Sequence, residues 1–520
     1  MQPDPALRGS SPSDPGTKES LRTVGRGTAG MLLGSAVTAI TNFAIAVLVA
    51  RSLPQVNAGI FFTGTALFVL LYGISRLAAG AGLVRFLAAD RAADVRDRVS
   101  GLFRAALVPV LAFSILTALG LLIAAPWVFR TLLNVPAAEG AVLVVWASLI
   151  PFAAVSDVLV SATRGFDRYA PAVLVDKISR PIAQLLLTTI AAAAGADPLV
   201  LVALWALPYA ASAVWSWLWI RRLRSNLGLL SEQSTKTPWR EFWRFNWALS
   251  LGLWVQVILQ RLDVILLSAL RNPVEAAIYV AASRFFVLGQ LIGTSFSLSL
   301  QPLIARYSTT GNTAMVRRLY ATGTAWLVLT SWPLYLLMII YAPAILEVFG
   351  EGYSEAADVL RILAAAMMVA TAIGPVDQVL IMSGRPTWVL ANSAVALAVN
   401  VGLNLWLIPP LGATGAAVAW AASILCANLV PLVQLVLWRR LHPFGRSLAW
   451  SIVVTLVSFA LTPILVRGLV STSPWSELLS VSLALMLFGA GLRLLRKPLQ
   501  LSESPFSAIL LALSRQRRGP

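Results

Sequence analysis

The chain reads as an all-α, polytopic membrane protein. Three observations predict that class: its apolar composition, the length of its apolar runs, and the placement of its arginines and lysines. Of 520 residues, 58% are hydrophobic and 12% charged, and the mean hydropathy is +0.79. A soluble chain of this length could not hide so much apolar side chain from water. Spans are expected near 29–50, 58–80, 101–125, 140–162, 170–194, 197–220, 246–270, 275–303, 322–346, 359–383, 386–409, 412–438, 447–468 and 476–495. That gives about 14 transmembrane helices, each matched to a hydrocarbon core of about 30 Å.

Basic residues cluster in every second gap between these spans. With the N-terminus inside, 32 of the 40 Lys and Arg fall in inner segments. Five lie in outer gaps (Arg51, Arg130, Arg271, Arg361 and Arg467), and three lie within spans, Arg76, Arg261 and Arg284. Short loops rich in Lys and Arg stay cytoplasmic, so this pattern predicts cytoplasmic N- and C-termini. The net charge of +18 is thus a topology signal and a contact with anionic headgroups of membrane lipid. No nucleic-acid motif accompanies it.

Residues 1–28 are rich in Pro, Ser, Gly and charge and read as a disordered cytoplasmic tail. They lack the apolar core of a cleaved signal, so the first span is expected to be retained. A six-helix bundle then covers 29–220, a cytoplasmic linker 221–245, a second six-helix bundle 246–438, helices thirteen and fourteen 439–495, and a basic cytoplasmic tail 496–520. Within the linker, Thr237-Pro238 opens a stretch to residue 247 that interleaves Trp239, Phe242, Trp243 and Trp247 with Arg240 and Arg244. Such a stretch suits an interfacial helix. Ser504 to Ser514 is a second interfacial candidate or simply part of the tail.

An internal repeat underlies the two bundles. Arg51-Ser-Leu-Pro54 leads into Gly59-Ile-Phe61, and Arg271-Asn-Pro273 leads into Ala277-Ile-Tyr279. The interval from Pro54 to Pro273 is 219 residues, and so is that from Gly165 to Gly384. Six spans per repeat preserve orientation, so the halves are expected to be parallel repeats.

Polar residues inside spans mark candidate sites, because they are costly in hydrocarbon. Gly252, Gln256, Gln260 and Asp263 share one helix face, and Ser283, Gln290, Thr294, Ser297 and Gln301 form a stripe beside Arg284. The first two spans carry Ser35, Thr38 and Asn42, and Thr65, Tyr72 and Arg76. These stripes either line an aqueous cavity or join helices by hydrogen bonds. Arg261, Asp263 and Arg284 favour the cavity, although Asp263 paired with Arg284 would be purely structural. Asp157, Asp377, Ser393, Asn400 and Asn404 are weaker candidates, with structural roles expected.

Cys426 and His442 are the only residues of their kinds, which leaves no disulfide framework and no Cys/His metal site. No loop is large enough for an ATPase or glycosyltransferase domain. The acidic outer loop at 347–358, with Glu347, Glu351, Glu355 and Asp358, reads as solvated.

Taken in order, Arg51-Ser-Leu-Pro54…Gly59-Ile-Phe61, Arg261-Leu-Asp263-Val-Ile-Leu-Leu, Ala277-Ile-Tyr279-Val-Ala-Ala-Ser-Arg284, Val348-Phe-Gly350-Glu-Gly-Tyr353 and Ile408-Pro-Pro-Leu-Gly412-Ala-Thr-Gly415 resemble the polysaccharide-export flippases of the multidrug/oligosaccharidyl-lipid/polysaccharide superfamily. The likeness covers roughly residues 22–440, departs at Ala277 where the family commonly has glycine, and extends through spans thirteen and fourteen to the fourteen-helix branch. It implies a MATE-like fold with a V-shaped cavity, alternating access, and a polyprenyl-pyrophosphate-linked oligosaccharide moved to the outer leaflet of a bacterial plasma membrane. It further implies that Arg261, Arg284 and Arg76 neutralise the pyrophosphate, that Asn42, Gln256, Gln260 and Gln290 bind the sugar, and that Asp263 either takes a coupling Na+ or H+ or holds an arginine. No organic cofactor or enzymatic step is expected. A polysaccharide polymerase or other envelope machinery is the expected partner. Two rival readings stay open: a cation-coupled multidrug antiporter of the same superfamily, and a polyprenyl-dependent membrane glycosyltransferase or polymerase.

Overall fold

The computed structural model describes residues 15–93, 95, 97–133, 140–227, 238–469, 473–496 and 498–499. Among these, the secondary structure is helical throughout, without a strand. In hydrocarbon a helix satisfies every backbone N–H and C=O from within its own segment. The elements run α1 (Pro15–Ser52), α2 (Gln55–Ser75), α3 (Ala79–Ala92), α4 (Val99–Ile123), α5 (Ala125–Trp127) and α6 (Gly140–Gly165). A π-helical segment (Ala172–Ser179) leads into α7 (Arg180–Ala193), followed by α8 (Pro198–Ala206), α9 (Pro208–Asn226), α10 (Trp239–Leu270), α11 (Pro273–Thr309) and α12 (Thr313–Ile340). Then come α13 (Ala342–Leu346), α14 (Ala357–Ile373), α15 (Val376–Met382), α16 (Pro386–Arg439), α17 (Arg446–Leu456), α18 (Thr462–Leu469) and α19 (Pro474–Leu494).

Eleven stretches are long and apolar enough to cross a membrane. One of them, α16, is two passes joined at Gly412, whose φ of 57° and ψ of −133° break the helix. The π-helical segment with α7, and α11, supply two further runs of spanning length. The fourteen expected passes are therefore all present as helices among the described residues.

The boundaries differ from expectation at α1, at the start of α10 and in the second span, 58–80, which breaks between Ser75 and Ala79. α1 begins at Pro15, inside the stretch read as a tail. Proline is accommodated at a first helical position, and Lys18, Glu19, Leu21 and Arg22 are good helix formers. Residues 1–14 lie outside the described residues. The aromatic stretch after Pro238 is not a separate interfacial helix but the first turns of the continuous α10. Phe242, Asn246 and Ser250, spaced by four, are buried on one face, while Trp239 and Trp247 are exposed. No breaker interrupts residues 239–270. The candidate at Ser504–Ser514 also lies outside the described residues.

The helices group into two compact units. One comprises Met1–Ile45, Phe68–Ala125 and Ala138–Leu253, the other Ala46–Leu67, Pro126–Ala137 and Trp254–Pro520. In the first, small residues let helices approach closely: a Cβ on Gly80 would meet Ser161, and one on Gly82 would meet Asn246. An aromatic pile of Phe68, Tyr72, Trp146, Trp205 and Tyr209 fills its centre, with ring centroids 5.3 to 6.2 Å apart.

In the second unit, Tyr320 donates to the Ile373 carbonyl at 2.7 Å and Trp332 to the Met368 carbonyl at 3.1 Å. Arg51 at the end of α1 donates to the carbonyls of Val348 and Glu347 at 2.7 and 3.2 Å, which fastens the α1–α2 turn to the acidic loop. The four carboxylates of that loop are exposed, and Asp358 pairs with Arg361 at 2.8 Å.

Candidate functional site

In the first unit, α2 ends at Ser75, and Leu77 and Ala78 take left-handed φ values of 50° and 51° before α3 begins. Consecutive non-glycine residues in that region are costly and mark functional sites. Arg76 sits in this break, and its Nη1 donates to Asp157 Oδ1 of α6 at 3.1 Å. The break opens onto a cavity of about 270 Å³ lined in part by Arg76, Asp157, Ser161, Arg164, Asp176 and Lys177. Asp176 and Lys177 belong to the π-helical segment, a distortion frequent at functional sites.

Asp176 pairs with Arg180 at 2.7 Å and Lys177 at 3.2 Å. The Arg180 guanidinium covers the Tyr209 ring at 4.5 Å. The lining is therefore cationic by one charge, with its two acids already paired.

Of these cavity cations, sequence singles out Arg76 alone. Arg164 and Lys177 read as topology markers. Asp157 proves to be the partner of Arg76, and Asp176 carries a signal that sequence reasoning passed over: an acid inside a basic cluster with Arg180 at i+4. Thr38 donates to the Lys177 carbonyl at 2.9 Å, so this part of the first stripe joins helices. Asn42 is half-buried in the same unit.

The second unit contains the remaining expected residues. Gln256 and Gln260 are exposed, whereas Asp263 on the same face is 4% exposed. Asp263 accepts from Asn404 at 2.7 Å and from the Tyr279 hydroxyl at 3.0 Å. Asn404 also donates to Asn400 Oδ1 at 3.1 Å. Asp263 thus does not pair with Arg284; it closes a buried network with two asparagines that sequence had ranked below it.

Arg261 and Arg284 are half-buried and close enough for their charges to interact. Arg284 forms no ion pair among the described residues, and its Nε is buried without a hydrogen-bond partner among them. Gln290 is exposed in the same helix as Arg284. The side chains of Thr294 and Ser297 lie outside the described residues. Gln301 is joined to Gln378 at 2.6 Å.

The chain is thus an all-helical, multi-pass membrane protein with charged groups built into its spans. Its fold resembles the lipid II flippase MurJ in an inward closed conformation, at a TM-score of 0.67 and 12% identity over 90% of this chain and 98% of that one. It also resembles an inward-facing multidrug resistance MATE family transporter of the MOP superfamily, at a TM-score of 0.59 and 15% identity over 78% and 94%. A MOP superfamily transporter from Pyrococcus furiosus is similar at a TM-score of 0.53 and 16% identity over 80% and 94%. Among curated proteins, none matches by sequence. The MatE family model matches residues 248–406. The polysaccharide biosynthesis protein family model matches residues 24–308, and the chain belongs to that family.

Proposed function

We propose that the protein moves a polyprenyl-pyrophosphate-linked oligosaccharide from the inner to the outer leaflet of a bacterial plasma membrane by alternating access, for export of a cell-surface polysaccharide. The observation that carries this reading is the neighbouring pair Arg261 and Arg284, within α10 and α11. Two like charges close together in an apolar span repel each other, and the Arg284 Nε atom is buried without a hydrogen-bond partner among the described residues. An anionic ligand relieves that repulsion, and guanidinium groups match phosphate oxygens in geometry. Arg76, with Arg164 and Lys177 beside it, offers a second cationic site. Gln256, Gln260, Gln290 and Asn42 are assigned to the sugar hydroxyls. In this orientation the basic clusters face the cytoplasm, and a polysaccharide polymerase or other envelope machinery receives the product.

For coupling, Asp263 is the assigned group, taking either H+ or Na+. Its surroundings fit such an ion. The Asn404 Oδ1 atom is buried without a hydrogen-bond partner among the described residues, and the oxygens of Asp263, Asn404 and Tyr279 are hard donors.

The test is export in cells. Depletion of the protein should accumulate the lipid-linked oligosaccharide on the cytoplasmic side, and Arg261→Gln with Arg284→Gln should fail to restore export at normal protein levels. Full restoration by the double variant would overturn the assignment of the arginines. The match of the MatE model to residues 248–406 favours a second reading, a cation-coupled drug antiporter. That reading predicts drug resistance on overexpression and no accumulated glycolipid on depletion.

A further inference from the structure

We propose that the ends of α16 form a binding site for the headgroup of an anionic phospholipid, built from Arg385, Trp388, Trp438 and Arg439. The two indoles pack with ring centroids 5.7 Å apart at 59°. The Arg385 guanidinium lies 4.9 Å from the Trp388 ring and 5.0 Å from the Trp438 ring. Arg439 lies 4.4 Å from the same Trp438 ring. Two guanidinium groups thus share one indole. Other arginine–aromatic contacts in the chain, such as Arg221 over Trp217 and Arg306 over Tyr307, bring one cation to one ring.

The cluster is held in place from behind. Asn392 and Gln434, one turn inward from Trp388 and Trp438, exchange hydrogen bonds of 2.8 and 2.9 Å. Both indoles pack against the buried cluster that includes Tyr320, Val379 and Leu435. The two arginines enter the cluster from opposite ends of α16, which the Asn392–Gln434 bridge ties together.

What the cluster lacks is an acceptor. Among the described residues, neither Arg385 nor Arg439 makes a side-chain hydrogen bond or an ion pair. Stacking on aromatic faces fixes the guanidinium planes and leaves their N–H edges available to oxygen. Two preorganised cations beside one indole suit a phosphodiester group.

The source of that group follows from position. Leu437, between Trp438 and the buried Leu435 in sequence, is 80% exposed, an apolar surface for an acyl chain two residues from Arg439. With the orientation proposed above, on which this inference rests, 385 and 439 lie at the cytoplasmic headgroup level. Tryptophan favours that depth, and anionic lipids concentrate in that leaflet. The ligand class is therefore a glycerophospholipid of net negative charge.

The test uses the full chain in nanodiscs, which present both leaflets and do not depend on transport or on the orientation. Phosphatidylglycerol is titrated into phosphatidylcholine discs, and retained lipid is counted by native mass spectrometry. Arg385→Gln or Arg439→Gln should weaken phosphatidylglycerol retention about fivefold each, and the pair about thirtyfold, with phosphatidylcholine unchanged. If the double Gln variant does not fold, Arg385→Lys with Arg439→Lys replaces it. That pair keeps the charge but loses the planar stack, and should weaken retention by about threefold. Unchanged retention in either double variant overturns the proposal. Displacement of phosphatidylglycerol by inorganic pyrophosphate at equal concentration would also overturn it, in favour of a free-anion site or the substrate's own pyrophosphate.

Discussion

A Cβ on Gly59 would collide with the carbonyl oxygen of Pro273. The two residues belong to the corresponding proline turns of the internal repeat, and within their unit the turns pack backbone against backbone. The obstacle is a carbonyl in a helix start, which has no rotamer to yield. Gly59→Ala should therefore destabilise the protein by about 2–3 kcal/mol, typical of overpacking in a tight core. Thermal unfolding in detergent should show a fall of several degrees. Gly402→Ala is the control: no atom lies within 4 Å of its added Cβ, so replacing this helical glycine should be neutral or stabilise by up to about 1 kcal/mol.

Arg284→Gln removes one of two neighbouring like charges. Folding stability should hold or rise slightly while export falls by about tenfold or more, the loss expected when a charge-assisted phosphate contact disappears. Measuring melting temperature and export in the same variant separates the two effects. A variant that loses stability and activity together would indicate a structural arginine.

The Asp263 network allows a sharper pair of substitutions. Asp263→Ala leaves the Tyr279 hydroxyl and one of the two Asn404 amide hydrogens buried without an acceptor, at a cost of about 2–3 kcal/mol. Asp263→Asn keeps the shape and one acceptor oxygen, so the fold should survive. If Asp263 carries the coupling ion, Asp263→Asn should transport without dependence on sodium or pH gradients, read in proteoliposomes with imposed gradients. Retained gradient dependence would move the coupling site elsewhere.

The pair Arg76–Asp157 is a quarter to a third exposed, with side-chain exposures of 25% and 32%. Solvent screens such a pair, so a double-mutant cycle on stability should give a coupling below about 1 kcal/mol. Asp157→Asn should instead act on function by releasing Arg76, which a changed apparent affinity for the lipid-linked substrate would report.

Much of the fold was legible in the sequence. Hydrophobic run length and the bias of Arg and Lys act residue by residue, and they placed fourteen passes because the bilayer imposes one length scale on every helix. The rare breaks in the basic pattern likewise singled out Arg76, Arg261 and Arg284. Less was legible where two distant segments had to meet. Asp263 looked equally suited to Arg284 or to an ion, and only the packing of α16 put Asn400 and Asn404 against it. The α2–α3 break carries no glycine or proline at Leu77 or Ala78, so no local signal announced it. It is held by contacts from elsewhere, among them Ser250 donating to the Leu77 carbonyl at 2.7 Å.

Sequence alone therefore determined the class of protein, its membrane passes and the residues out of place in hydrocarbon, because the solvent dictates these directly. Tertiary structure decided which of those residues act together. It gave Asp263 to a buried hydrogen-bonded network, Arg76 to Asp157 and a cavity, and Arg385 and Arg439 to a shared indole. Partnership between buried polar groups depends on distances across helices, and no spacing along one chain encodes them.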